Sequence, residues 1–333
     1  MGMVVNGIWE AKTGDAIANG SYQRANSTFD LALSDDIVSE IEQASQCNIL
    51  IASLSCPWSH RALLVRAVKS LENLIPLHIA GGVRTEGYGL LSDGPLQLHG
   101  ATPCHVHQLY THTDLNYTGR VTVPLIWHEG DGAIVSNDSA KIMRGLDRIK
   151  GTGFTLAPAH LVEKIDTLNE CIHADLSNAV YRAGFAQSQS SYNAAVTDVF
   201  DMLEALEVRL SQQRFLLGSG LTESDLRLFA TLIRFDAVYA THFRCTRFRL
   251  VDFPNLWAYA RDLYLWPGVS ETVDFATILE GYYLNDGTHN PYGIVAELPA
   301  TDWTVPSGRN NLGQAYIWSE KGQEIPVQHG TDQ

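Results

Sequence analysis

The chain has 333 residues, too many for one small domain and enough for two that each bury a core. A hydrophobic share of 45% with 18% charged residues is ordinary for a globular protein, and a formal net charge of −14 argues against a nucleic-acid surface or docking on anionic membranes. Five cysteines without a short-range pairing pattern, no basic leader segment and no window of membrane-spanning length together point to a reducing, cytoplasmic setting.

Residues 1–45 precede the first convincing strand and read as an N-terminal extension. Ile49-Leu50-Ile51-Ala52 is a short apolar run, predicted as a buried strand. Ala62, Leu63, Leu64, Val65, Ala67, Val68 and Leu71 predict a helix on that sheet, with Pro57 in its first turn, where the missing N–H is no loss. Leu77-His78-Ile79-Ala80 reads as a second strand, parallel to the first, completing a βαβ unit. Residues 81–100 are glycine-rich without a period and read as a long loop.

Val121–Trp127 reads as a third strand entered through Pro124; Gly130-Asp131-Gly132 is a turn, and Ala133-Ile134-Val135 returns as its hairpin partner. Ser136-Asn137-Asp138-Ser139 is rich in capping residues and marks a helix start. Residues 46–150 are therefore expected to form an α/β domain. Over 160–300 the period is helical: Ile165, Leu168, Ile172 and Leu176 share one face, and Val196, Val199, Phe200, Leu203, Leu206 and Leu210 another. Thr222-Glu223-Ser224-Asp225 resembles a capping box with Asp in the place of Glu or Gln, and Leu221 and Leu226 are placed as its hydrophobic staple. The helix that follows is apolar over most of its circumference and is expected to be central. Residues 301–333 are polar and read as an irregular tail.

Cys56 carries the chemistry. It stands where a strand gives way to a helix N-terminus, and there the N–H groups and the positive dipole end favour a thiolate, the form that attacks sulfur or carbon. A free cysteine is ordinarily a small buried hydrophobe, and Cys47, Cys104, Cys171 and Cys245 take that reading. Three positions after Cys56 stands Ser59, so no second thiol is at hand to resolve a mixed disulfide, and an external thiol must do it. His99, Cys104, His105, His107 and His112 crowd one stretch, but no carboxylate pattern completes a ligand set, and no metal is expected.

An α/β domain of thioredoxin type followed by an all-helical domain resembles the glutathione transferases. Cys56-Pro57-Trp58-Ser59-His60-Arg61, Gly119-Arg120-Val121-Thr122-Val123-Pro124 and Ser136-Asn137-Asp138-Ser139 are similar to the xi class, whose members are glutathionyl-hydroquinone reductases. Val180–Ala186, Arg234–Tyr239, Thr241–Cys245 and Asn290-Pro291 extend the likeness in the same order.

The resemblance implies a thioredoxin-like N-terminal domain plus an all-α C-terminal domain, a cis bond before Pro124, glutathione as co-substrate and a homodimer. It implies that Cys56 attacks the sulfur of a quinone-derived thioether conjugate, and that Tyr88, Arg120, Val121, Val123, Asp138 and Ser139 hold glutathione. Tyr181, Tyr239 and Tyr282 match positions that surround the hydroquinone. The family carries Trp where Tyr88 stands and Glu where Asp138 stands. Alternatives are a relative using another low-molecular-weight thiol, an omega-like thiol transferase or dehydroascorbate reductase, a conjugating transferase, and a non-catalytic binding protein.

Overall fold

The computed structural model describes residues 2–11, 17–23, 26–91, 96, 103–150 and 153–327. They fall into two compact units, each built from separated stretches of chain. The first holds Met1–Asp15, Ala25–Gly151 and Thr272–Ala296, and the second holds Ala16–Arg24, Thr152–Glu271 and Glu297–Gln333.

In the first unit, β1 (Met3–Val5) and β2 (Ile8–Glu10) form an antiparallel hairpin. The next hairpin, β3 (Ile17–Ala18) with β4 (Ser21–Tyr22), belongs to the second unit. Helix α1 (Asp35–Glu42) starts at Ser34, whose hydroxyl accepts from the Ile37 N–H. A mixed five-stranded sheet follows, in the order β7-β6-β5-β8-β9. At its centre β5 (Asn48–Ala52) is buried along its whole length, as a strand covered on both faces must be. It runs parallel to β6 (Leu77–Gly81), with α2 (Pro57–Val68) as the crossover, and antiparallel to β8 (Leu125–His128).

Several expectations are corrected here. Helix α2 ends at Val68, so Leu71 lies beyond it although its side chain is still buried. The loop after β6 contains a two-residue strand, β7 (Gly89–Leu90), antiparallel to β6. Helix α3 (Val106–Thr113) takes up the histidine-rich stretch, while His99 lies outside the described residues. Strand β8 begins only after Pro124, because a proline has no N–H to give to a ladder. It turns into β9 (Ala133–Ser136), and α4 (Ser139–Asp147) follows. The stretch before β5 is not featureless either, since Val4 and Gly119 exchange both backbone hydrogen bonds, at 3.0 and 2.9 Å.

The longest stretch of the second unit begins with β10 (Phe154–Thr155) and α5 (Val162–Ile172), then a π-helical turn at His173–Ser177, α6 (Ala179–Gly184) and the long α7 (Gln189–Leu210). Helix α8 (Glu223–Leu232) starts on the expected capping box: the Thr222 N–H and hydroxyl both donate to Asp225 Oδ2 at 2.8 Å. Leu221 and Leu226 are fully buried beside it. A second π-helical turn, Phe235–Tyr239, precedes α9 (Pro254–Tyr264). Through α10 (Phe275–Tyr283) the chain returns to the first unit.

Over 301–327 the polar segment carries two strands, where an irregular tail is expected from its composition. Strand β11 (Tyr316–Ser319) pairs antiparallel with both β10 and β12 (Glu324–Pro326). Arg309 is buried there and donates to the carbonyls of Leu210, Gln213 and Arg214.

Candidate active site

Cys56 is the residue at which α2 begins. Pro57 occupies the first helical position, and the Cys56 side chain makes no capping bond of its own. The preceding turn is closed by the Cys56 N–H donating to the Ser53 carbonyl at 3.1 Å, and the Cys56 carbonyl accepts from His60 at 2.9 Å. The residue is 8% exposed, and its thiol lies 3.5 Å from the carbonyl oxygen of Val123, to which it donates a long contact. The Val123–Pro124 peptide bond is cis, as the resemblance implies.

The segment carrying Arg120, Val121 and Val123 is fixed by residues that sequence reasoning did not single out for the site. Tyr110 on α3 donates its hydroxyl to the Thr122 carbonyl at 2.8 Å and accepts from the Thr122 N–H at 3.2 Å. The Asn137 amide donates to the same hydroxyl at 2.8 Å, and Tyr117 donates to the Arg120 carbonyl at 2.8 Å. Burial pushes the Tyr110 hydroxyl up to about 12, so it stays protonated as a donor. Asn137 immediately precedes Asp138, and one network therefore ties the backbone around Val123 to the start of α4.

Asp138 caps α4: its Oδ1 accepts from the Ala140 and Lys141 N–H groups, both at 2.9 Å. Oδ2 takes no part in those bonds. Ser139 is the first residue of the helix.

Tyr88 follows a turn and is held in place by its carbonyl, which accepts from Val106 at 2.9 Å. Its ring lies 4.3 Å under the Arg84 guanidinium, and Arg84 donates to Ser55 Oγ at 2.9 Å, one residue before the thiol. Tyr282 is on α10, in the same unit as Cys56. Its neighbour Gly281 lies hard against the thiol loop, for a Cβ there would stand 2.2 Å from Ser55 Cβ. His60 Nε2 and Thr272 Oγ1, 2.8 Å apart, join α2 to the start of this returning segment.

Tyr181 and Tyr239 belong to the second unit. Their ring centroids are 6.0 Å apart, and Phe243 packs on both, at 5.2 and 5.5 Å. Tyr239 closes the π-helical turn, a device that shifts helical register and recurs at functional sites. Its ring is buried, whereas Tyr181 is half-buried.

The other cysteines divide differently from the expectation. Cys245 is buried, and burial raises its thiol to about 12. Cys47 is half-buried, and Cys104 and Cys171 are exposed, so these three are not core hydrophobes. Cys104 lies in the segment before α3, and Cys171 stands on the exposed face of α5. Among the described residues, no group of three His, Cys, Asp or Glu side chains is gathered as a metal site. No helix among them is long and apolar enough to cross a membrane.

Residues 55–149 match the family described as Glutathione S-transferase, N-terminal domain, and residues 189–262 match Glutathione S-transferase, C-terminal domain. The chain is 38% identical to glutathionyl-hydroquinone reductase YqjG of Escherichia coli strain K12, across 93% of this chain and 99% of that protein. It is 34% identical to glutathionyl-hydroquinone reductase PcpF of Sphingobium chlorophenolicum, across 90% and 97%. The xi-class transferase structure from Natrialba magadii superimposes with a TM-score of 0.80 at 33% identity, covering 94% of this chain and 97% of that one. The glutathione-bound structure of YqjG gives 0.77 at 37% identity, over 93% and 99%.

An α/β unit with a thiol at a strand-to-helix junction, joined to a helical unit, defines a thiol-handling enzyme of the glutathione transferase fold. The chain belongs to the glutathione transferase family, and within it to the xi class, the glutathionyl-hydroquinone reductases.

Proposed function

We propose that the protein reduces S-glutathionyl-hydroquinones to hydroquinones at the expense of glutathione. The Cys56 thiolate attacks the sulfur of the conjugate. The carbon–sulfur bond breaks, its electron pair stays on the ring carbon, and that carbon takes a proton to give the hydroquinone. Cys56 is left in a disulfide with glutathione. A second glutathione thiolate attacks the glutathionyl sulfur, oxidised glutathione leaves, and Cys56 is regenerated. The sum is one conjugate and one glutathione consumed, one hydroquinone and one oxidised glutathione formed.

The observation that carries this reading is Cys56 at the N-terminus of α2 with no neighbouring thiol in its turn, 3.5 Å from the Val123 carbonyl. Val123 pairs with the cysteinyl backbone of glutathione and gives up that contact, freeing the sulfur to attack. The start of α4 takes the γ-glutamyl end, with N–H groups and the Ser139 hydroxyl for its carboxylate and the free oxygen of Asp138 for its amine. Arg120, Val121 and Tyr88 complete the glutathione contacts. Tyr181, Tyr239 and Tyr282 offer hydroxyls to the substrate phenols, and their protons to the ring carbon as it is released. The working form is a homodimer.

Product analysis tests the reading. Incubation with a glutathionyl-hydroquinone and glutathione should yield free hydroquinone and oxidised glutathione in equal amounts. A stable thioether product would mark a conjugating transferase. Faster turnover of dehydroascorbate or of a simple mixed disulfide would mark an omega-like enzyme.

A further inference from the structure

Between Ala18 and Ser21 the dipeptide Asn19-Gly20 turns the chain with φ +51° and +77°, the left-handed pair that a two-residue hairpin needs. The register sets Ile17 opposite Tyr22, so this turn fixes where the Tyr22 ring stands. Tyr22 is the one aromatic residue of Ala16–Arg24, a stretch of the N-terminal extension that belongs to the second unit. The tip of the hairpin rests on the junction between α6 and α7. There the Gln187 N–H donates to the Gly20 carbonyl at 2.9 Å. A Cβ on Gly20 would stand 3.0 Å from the hydroxyl of Ser188, the residue that caps α7.

Seated in this way, Tyr22 packs on Phe185 with ring centroids 5.4 Å apart. Phe185 follows Tyr181 by one turn at the C-terminal end of α6, and the two rings stack at 6.3 Å. Phe243 meets Phe185 at 5.3 Å and Tyr181 at 5.2 Å, and stacks on Tyr239 at 5.5 Å. It lies directly on α6, because a Cβ on Gly184 would fall 2.5 Å from its Cγ. Arg244 fastens that contact by donating to the Gly184 carbonyl at 2.7 Å. Helix α6 has only six residues, too few to hold its geometry without tertiary support. The rings at its end are therefore placed by their neighbours, and Tyr22 is one of them.

We propose that Tyr22, delivered by the N-terminal hairpin, positions Tyr181 through Phe185 and so limits the bulk of the hydroquinone ring that the enzyme accepts. The inference rests on the reading above in which Tyr181 and Tyr239 meet the substrate phenols, and it makes part of the N-terminal extension a determinant of substrate choice. With Tyr22 in place, Phe185 is backed by a ring and the Tyr181 hydroxyl stays where a single-ring hydroquinone needs it. Without Tyr22, Phe185 and Tyr181 can retreat. A small ring then loses its hydroxyl partner, and a larger ring gains space. Tyr22 touches no reacting atom and acts as a positioning residue.

The test compares full-length wild type, Tyr22→Ala, Tyr22→Phe and Gly20→Ala on two substrates at saturating glutathione: the glutathionyl conjugate of benzohydroquinone and that of a methylated naphthohydroquinone. The readout is the ratio of kcat/KM for the larger ring to that for the smaller. Tyr22→Ala should move the ratio toward the larger ring by about fivefold, the scale of one aromatic pair, mostly through a raised KM for the smaller substrate. Tyr22→Phe should keep the wild-type ratio, since the ring and not the hydroxyl packs on Phe185. Gly20→Ala strains the turn and pushes its tip off Ser188, and should move the ratio the same way by a smaller amount. Iodoacetamide labelling of Cys56 should be the same in all four proteins. An unchanged ratio in folded Tyr22→Ala overturns the proposal, and so does an equal loss with both substrates, the mark of a merely structural role. Tyr22→Phe behaving like Tyr22→Ala overturns it as well, as does altered labelling of Cys56. If Tyr22→Ala does not fold, the ratio in Gly20→Ala decides. Wild-type turnover of neither conjugate sinks the parent reading, whereas turnover with a ratio indifferent to Tyr22 sinks this inference alone.

Discussion

Around Arg214 and Asp225 in the second unit, buried charge is met in full. Arg214 grips Asp262 through Nε and Nη2, both at 3.0 Å, and gives Nη1 to Asn310 and the Gly313 carbonyl. Burial raises the Asp225 carboxyl, but it accepts from Leu216, Thr222 twice and Tyr259, all within 2.9 Å. Around Cys56 in the first unit, the polar groups are held in place yet left with capacity. The thiol has one long contact, Asp138 caps with one oxygen, and Arg84 is oriented by neutral groups only. The first pattern specifies a fold, because an unpaired buried charge is costly. The second suits a site, because spare donors and acceptors near a nucleophile are what a charged ligand fills.

The sharpest way to break this comparison is to exchange the two buried thiols. Cys56→Ser should lower kcat/KM for a glutathionyl-hydroquinone by about 10³-fold or more, since the covalent step is lost. Cys245→Ser should change it by less than about twofold, because a thiol raised to about 12 by burial does no chemistry at neutral pH. Equal losses in steady-state assays would remove the distinction between the two sites.

Asp262→Ala tests the saturated region. It strands the Arg214 charge in a site where both side chains are at most 1% exposed, and should cost about 3–5 kcal/mol in denaturant unfolding. A loss below about 1 kcal/mol would mean that the pair is dispensable. Gly281→Ala should cost about 1–3 kcal/mol by overpacking against Ser55 and should lower turnover as well, since the loop it displaces carries Cys56. Unchanged kinetics in a folded variant would separate α10 from the thiol loop.

The smallest effect concerns Tyr110. Its phenol holds a proton more tightly folded than unfolded. Its contribution to stability is therefore complete below pH 10 and is lost as pH rises from there through about 12. Tyr110→Phe should cost about 1 kcal/mol at neutral pH and flatten that alkaline loss in pH-dependent unfolding curves. An unaltered alkaline limb would assign the loss to other groups.

What could be read from the sequence was governed by local rules. Pro57 at the first helical position, the Thr222–Asp225 box and the apolar run before Cys56 each act over a few residues, and each appears where expected. The misreadings depend on distant partners. Nothing within 301–333 says that Trp318 will lie opposite Thr155, and nothing near Gly281 says that it will meet Ser55. Tyr316–Ser319 is a four-residue strand held between β10 and β12, and a run that short inside a polar segment is not separated from a tail by alternation alone. Residue type sets only an average burial for Cys171, whereas the face of α5 on which it stands leaves it exposed, and Cys104 is exposed in the segment before α3. Within the candidate site, the thiol and the cap at Asp138 were legible, while Tyr110, Asn137 and Arg84 act through contacts that only the folded chain makes.

The central claim is that Cys56 itself takes the glutathionyl group. Mixing enzyme with an equimolar glutathionyl-hydroquinone and no free thiol, then quenching and mapping peptides by mass spectrometry, tests it directly. One hydroquinone released per enzyme, with a glutathionyl adduct on the Cys56 peptide, is the expected result. An adduct on Cys47, Cys104 or Cys171, or release without any adduct, would contradict it.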